Sequence, residues 1–162
     1  MKKGTLYLVE AAMIAAIYVV LTYIFQPLSF NDVQVRFAEA LTVLPLFTPA
    51  AIPGLFVGCF LGNLLGGAAL LDVIAGSLTT LAAAYCSYLF RKNKFLVPVF
   101  PIVFNAIVVP WVLRYAYGIV VPIPFMMLTV GLGEVISCGV IGGILMTALQ
   151  PVKHHIFKHK YI

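Results

Sequence analysis

Charge is what this sequence has least of. Lysine and arginine number 10 and aspartate and glutamate only 5, so charged residues are 9% of the 162, against roughly 25% in a soluble domain. That scarcity excludes a water-soluble globule. Hydrophobic residues make up 63% of the chain and the mean hydropathy is +1.10, so its solvent is lipid. Short segments of alternating polarity are also missing, which excludes a transmembrane barrel and leaves an all-α bundle. Cys59, Cys86 and Cys138 lie in separate apolar runs and read as small packing residues, neither a disulfide framework nor a metal site. His154, His155 and His159 are confined to the tail. No G-x-x-x-x-G-K-[ST] phosphate loop, H-E-x-x-H or G-x-S-x-G occurs, so no enzyme and no cofactor is expected. The net charge of +5 does not point to nucleic acid, because the basic residues cluster between or beyond apolar runs as topology signals do. No A-x-A-like site closes the first run, so a cleaved signal peptide is not expected.

What is abundant is continuous apolar chain. A bilayer crossing takes about 20 residues, and a single membrane domain over residues 1–162 is expected, with helices at about 5–26, 33–47, 50–65, 70–90, 95–114 and 125–150. Pro45, Pro49 and Pro53 recur at four-residue intervals and divide the second helix from the third, since they cannot all sit inside one unbroken helix. In this six-helix integral membrane bundle Lys2, Lys3, Arg91, Lys92, Lys94, Lys153, Lys158 and Lys160 share one side. By the positive-inside rule both termini are then cytoplasmic, with the basic tail in water or at lipid headgroups. Gly54, Gly58, Gly62 and Gly66 line one side of the third span, and Gly139 and Gly143 one side of the sixth, for close helix approach. Ala11, Ala12, Ala15 and Ala16 form two overlapping small-xxx-small pairs on the first span. These either pack internally or face another membrane subunit.

The polar side chains gather on one side. Arg36, Glu39, Asn63, Asp72, Trp111, Arg114, Tyr115 and Glu134 fall in outer halves of their spans and Asn105 at mid-membrane, while the inner stretches 44–52 and 81–84 are almost purely apolar. Glu10 is the exception, near the cytoplasmic end, within reach of headgroups or Lys3. Ionisable groups within a membrane usually face a cavity or a partner. A channel or proton relay needs polar groups through the full thickness; a one-sided set describes a cup that opens outward over a closed floor. Each residue also has a plainer reading. Arg36 and Glu39, three apart, can pair with each other; Asp72 can cap its helix; Trp111 and the tyrosines can anchor the interface. Glu134 resists such a reading, having no basic neighbour within a turn or two.

The stretch VQVRFAEALTVLPLFTPAAIPGLFVGCFLGNLLGG, residues 33–67, resembles the signature region of the QueT family. Its members are substrate-binding (S) components of energy-coupling factor (ECF) transporters, assigned to precursors of queuosine. The resemblance extends over most of the chain. It implies a bacterial cell-membrane protein, a transmembrane coupling subunit and two cytoplasmic ATPases as partners, and docking through Ala11-x-x-x-Ala15 or Ala12-x-x-x-Ala16. A 7-deazaguanine base presents an N–H and an amine side by side, which a carboxylate accepts bidentately. Glu39 or Glu134 is therefore the expected base-edge acceptor. Arg36, Asn63 or Asn105 would be the donor, and Trp111, Tyr115 or Tyr117 a stacking platform. The loop 26–32 is either a lid over the cup or a connector. Two other functions fit the residues: binding of another vitamin-like heterocycle (flavin, pterin or indole compound), and a stand-alone secondary carrier. The apolar inner half weighs against the carrier, which needs two gates around its site.

Overall fold

The computed structural model describes residues 3–25 and 36–157. Helix α1 (Lys3–Ile24) is followed by a 3-10 helix, η1 (Phe37–Leu46), then α2 (Ala51–Leu65), α3 (Leu70–Leu89) and α4 (Val99–Ala116). Helix α5 runs over Ile123–Leu149 with a π-helical segment, Val135–Ile141, inside it, and a short α6 (Lys153–Ile156) ends the described chain. No strand occurs among the described residues. The architecture is an all-helical bundle of six principal helices. Four of them, α1, α3, α4 and α5, are long and apolar enough to cross a membrane.

Helices α1 to α5 pack in chain order as a wall, each on the next, and η1 threads the interior against α1, α2, α3 and α5. The usual polarity of a protein is reversed. Leu8, Leu70, Phe95, Leu128 and Ile144 are exposed, while Glu39, Asp72, Asn105 and Glu134 are buried. Lipid satisfies the first set; only the protein can satisfy the second.

The second helix differs from its expected form. An α-helix over 33–47 was the expectation; the described part is a 3-10 helix over 37–46, with Glu39 N–H bonded to Arg36 C=O at 2.9 Å, and residues 33–35 lie outside the described set. Two causes are local. Pro45 offers no N–H to an α-helical ladder, and every residue from Ala38 to Pro45 is buried, so tertiary packing rather than helix propensity sets the backbone. At about 2.0 Å rise per residue instead of about 1.5 Å, ten residues reach about 20 Å rather than about 15 Å into the bundle.

Small residues set the closest helix contact. Gly54 and Gly58 of α2 lie against Ala11, Ile14, Ala15 and Tyr18 of α1, and Gly62 against Thr22, close enough that a Cβ at Gly54 or Gly58 would come within 2.7 Å of α1 atoms. The other expected glycine ridge is displaced. Gly143 has nothing within 4 Å, and at Gly139 an added Cβ would make only ordinary contacts; the close approach belongs to Gly142, where a Cβ would be 2.8 Å from Val43 Cγ1 of η1. The π segment immediately before it shifts the register, which simple four-residue spacing does not anticipate. Gly67 (φ +75°) and Gly118 (φ +66°) turn the chain after α2 and α4 in the left-handed region.

Ile14, Leu41, Leu44, Leu55 and Ala84 belong to an apolar core that Leu145, Leu149 and Phe157 join. Two expectations change here. Glu10 accepts a hydrogen bond from Thr48 Oγ1 at 3.0 Å instead of only reaching toward headgroups. The start of the tail folds back: α6 carries Phe157 onto Phe47, ring centroids 5.6 Å apart and nearly parallel. The proposed lid at 26–32 lies outside the described residues.

Candidate functional site

The deep part of the site is built on η1, α1 and α5. Glu39 leaves η1 into the bundle interior with 1% of its surface exposed, and Glu134 leaves α5 with 2%. A carboxylate oxygen of each, and Cys138 Sγ, lie within 4.8 Å of one another. Tyr18 OH of α1 donates to Glu39 Oε1, and Cys138 Sγ donates to Glu134 Oε2 at 3.1 Å. Cys138 also approaches Glu39 C=O at 3.4 Å, and Thr42 Oγ1 donates to that same carbonyl at 2.6 Å. Glu39 Oε2 has no hydrogen-bond partner among the described residues, though Asn105 and Thr80 lie near enough to act on the carboxylate. Leaving such an acceptor buried and unpaired costs about 1–3 kcal/mol. Glu134 and Cys138 flank and enter the π segment, which brings them beside η1.

The arrangement presents acceptors in excess of donors. Two carboxylates and a thiol have a composition that suits a divalent cation. However, Tyr18 and Cys138 already donate to the acids, and the group left wanting is a hydrogen-bond donor. An organic ligand edge with adjacent N–H groups meets that want.

Above Tyr18 is a narrow cavity of about 30 Å³, lined among others by Tyr18, Arg36, Asn63 and Asp72. Arg36 Nη2 lies 3.6 Å from Asp72 Oδ2. Tyr117 OH donates to the same oxygen at 2.9 Å and accepts from Ala69 N–H at 3.1 Å. Desolvation by burial is the main reason the Tyr117 hydroxyl titrates above its ordinary value, with the Asp72 charge adding to it, so it stays a neutral donor. Asn63 Nδ2 donates weakly to Cys59 Sγ at 3.5 Å, as does Thr80 Oγ1. Ligand pockets commonly run to about 300–1,000 Å³, so a bicyclic base needs this mouth to open.

The family model described as "QueT transporter" matches residues 8–151. The chain belongs to the QueT transporter family. That family is one of transporters, not enzymes, and with its apolar spans the chain is a multi-pass membrane protein. A curated relative, "Queuosine precursor transporter QueT" of Lactococcus lactis subsp. cremoris (strain MG1363), is 36% identical over 84 residues, 50% of this chain and 49% of the relative. The alignment thus spans about half the length of that relative. No solved structure matches.

Within this QueT family member the expected site residues divide. Glu39, Glu134 and Asn105 are all buried, with Glu39 facing Glu134, and Arg36 and Asn63 line the cavity above. Arg36, extended just before η1, forms its ion pair with Asp72 in the first turn of α3 and not with Glu39. Trp111 (44% exposed) and Tyr115 (73% exposed) stack on each other, centroids 6.3 Å apart, on the outside of α4, and neither lines the cavity. That placement suits interfacial anchors. Tyr117 is the tyrosine brought to the mouth. Of the alanines, Ala11 and Ala15 are buried against α2 and are closed to a partner, whereas Ala12 and Ala16 are exposed.

Tyr18 and Thr80 escaped notice in the sequence, and Cys59 and Cys138 were read only as packing residues. Two had a signal. Tyr18 lies three residues after Ala15 on the same buried face of α1, and Cys138 lies four after Glu134, one helical turn away. Asp72, one of the outer polar set and alternatively a helix cap in the sequence reading, lines the cavity and pairs with Arg36.

Proposed function

We propose that the protein is the substrate-binding subunit of an ATP-driven ECF importer, capturing a queuosine precursor, a 7-deazaguanine base, from outside. One observation carries the reading: Glu39 is wholly buried, faces Glu134 and keeps one oxygen without a partner. The N–H and amine edge of the base supplies the missing donors. Asn105 and, once the mouth opens, Asn63 or Arg36 answer its carbonyl. The name of the Lactococcus relative supports the ligand class.

In this reading both termini are cytoplasmic and the Arg36–Asp72 end faces outward. The apolar core around Leu41, Leu44 and Leu55 is the floor. Release then needs a movement of the whole subunit against a transmembrane coupling partner driven by two ATPases. The exposed Ala12-x-x-x-Ala16 pair is the surface on which that partner docks, since small residues let helices approach closely. Purified Glu39→Gln and Glu134→Gln proteins test the ligand assignment by calorimetric titration with 7-deazaguanine bases. Each variant is expected to bind at least about tenfold more weakly, the loss of one charge-assisted contact. Unchanged affinity in both removes the assignment.

A further inference from the structure

Three side-chain atoms are buried without a hydrogen-bond partner among the described residues: Glu39 Oε2, Asp72 Oδ1 and Ser137 Oγ. The first belongs to the deep site. The second is at the mouth, and neither helix capping nor the ion pair uses it, because Arg36 and Tyr117 both engage Oδ2. Asp72 lines the cavity with Arg36 and Asn63, and its side chain is 4% exposed. Gly76, one turn along α3, leaves the space beside it open. A Cβ there would be 3.2 Å from Asp72 Oδ1 and 3.3 Å from Asn63 Nδ2.

Charge points to what this oxygen takes. Three of the chain's 5 acidic residues border this region: Glu39 and Glu134 face each other in the deep site, Asp72 pairs with Arg36 at the mouth, and Arg36 is close enough to act electrostatically on all three. Arg36 and Tyr117 both take the same oxygen of Asp72, so a cationic donor on the ligand would meet the free one with a charge-assisted hydrogen bond that a neutral substituent cannot match. Tyr18 sits between the two sites, its ring lining the cavity and its hydroxyl on Glu39. A ligand held at its flat edge by the deep acids therefore extends past Tyr18 toward Asp72.

We infer that Asp72 Oδ1 forms a second subsite, which accepts a primary ammonium on the substituent of the bound base and makes the protein selective for cationic over neutral precursors. The inference rests on the ligand class proposed above. The test is calorimetric titration of the full-length protein with 7-aminomethyl-7-deazaguanine and with its neutral 7-cyano counterpart. Asp72→Asn is expected to lower affinity for the aminomethyl base at least about tenfold more than for the cyano base, the worth of a charge-assisted hydrogen bond. Gly76→Ala, which leaves every charge in place and crowds Oδ1, is expected to shift the same ratio in the same direction, so the idea does not hang on one variant's folding. An unchanged ratio in both variants overturns the subsite while binding of either base by the wild type keeps the ligand class. Wild-type protein that binds neither base overturns both.

Discussion

Replacing Gly58 with alanine adds one methyl group where helices α1 and α2 leave no room for it. The new Cβ would sit 2.7 Å from Tyr18 Cβ and 3.1 Å from both Ala15 Cα and Ala15 O, whereas ordinary contact begins at 3.4 Å. Because those atoms are backbone or bonded directly to it, no side-chain rotation relieves the overlap; α1 must retreat by about 0.7 Å at Tyr18. Overpacking of this kind costs about 1–3 kcal/mol. Alanine is also better than glycine in a helix by about 1 kcal/mol, a gain that would mask part of the loss. Gly143→Ala supplies the control, since it shares that gain and meets nothing within 4 Å. The two variants should therefore differ by about 1–3 kcal/mol. Differential scanning fluorimetry in one detergent would read this as roughly 2–12 °C, at about 2–4 °C per kcal/mol. Ligand affinity should fall with Gly58→Ala as well, because Tyr18 carries the donor to Glu39. Equal melting temperatures for the two variants would refute the claim that the α1–α2 contact is filled.

Further outcomes follow from the same geometry. Tyr18→Phe strips Glu39 of its donor and should lower stability by about 1–3 kcal/mol, measured by thermal unfolding with ligand absent. Tryptophan at Ala12 or Ala16 should abolish co-purification with the coupling subunit and leave ligand binding intact, since both residues are exposed and neither lines the cavity; retained co-purification sinks that docking surface. In a background with the three native cysteines replaced, Asn93→Cys should react with an impermeant maleimide only in inverted vesicles and Gly118→Cys only in right-side-out cells. The opposite pattern reverses the orientation.

Much of the fold was readable because lipid imposes a simple rule: the backbone must satisfy itself, so long apolar runs become helices and proline marks where one stops. Pro45, Pro49 and Pro53 placed the break between the second and third helices for that reason. The glycines facing α1 were readable because a four-residue spacing keeps them on one face. Single-chain patterns did not extend to the shape of η1, whose 3-10 backbone answers burial on every side, nor to Gly142, which a π segment turns inward in place of Gly139 and Gly143.

Composition alone determined that the protein lives in a membrane as a helical bundle, because burial of so much apolar chain has no other solvent. It also marked the few residues, Arg36, Glu39 and Glu134 among them, whose burial needs a reason. Which of these meet was decided only in three dimensions. Glu39 and Glu134 are 95 positions apart in the numbering, yet they face each other, while Trp111 and Tyr115, near Asn105 in the chain, lie exposed on the outside of the bundle. Local spacing governs which face of a helix a side chain occupies; rotation of one helix against another governs what that face meets.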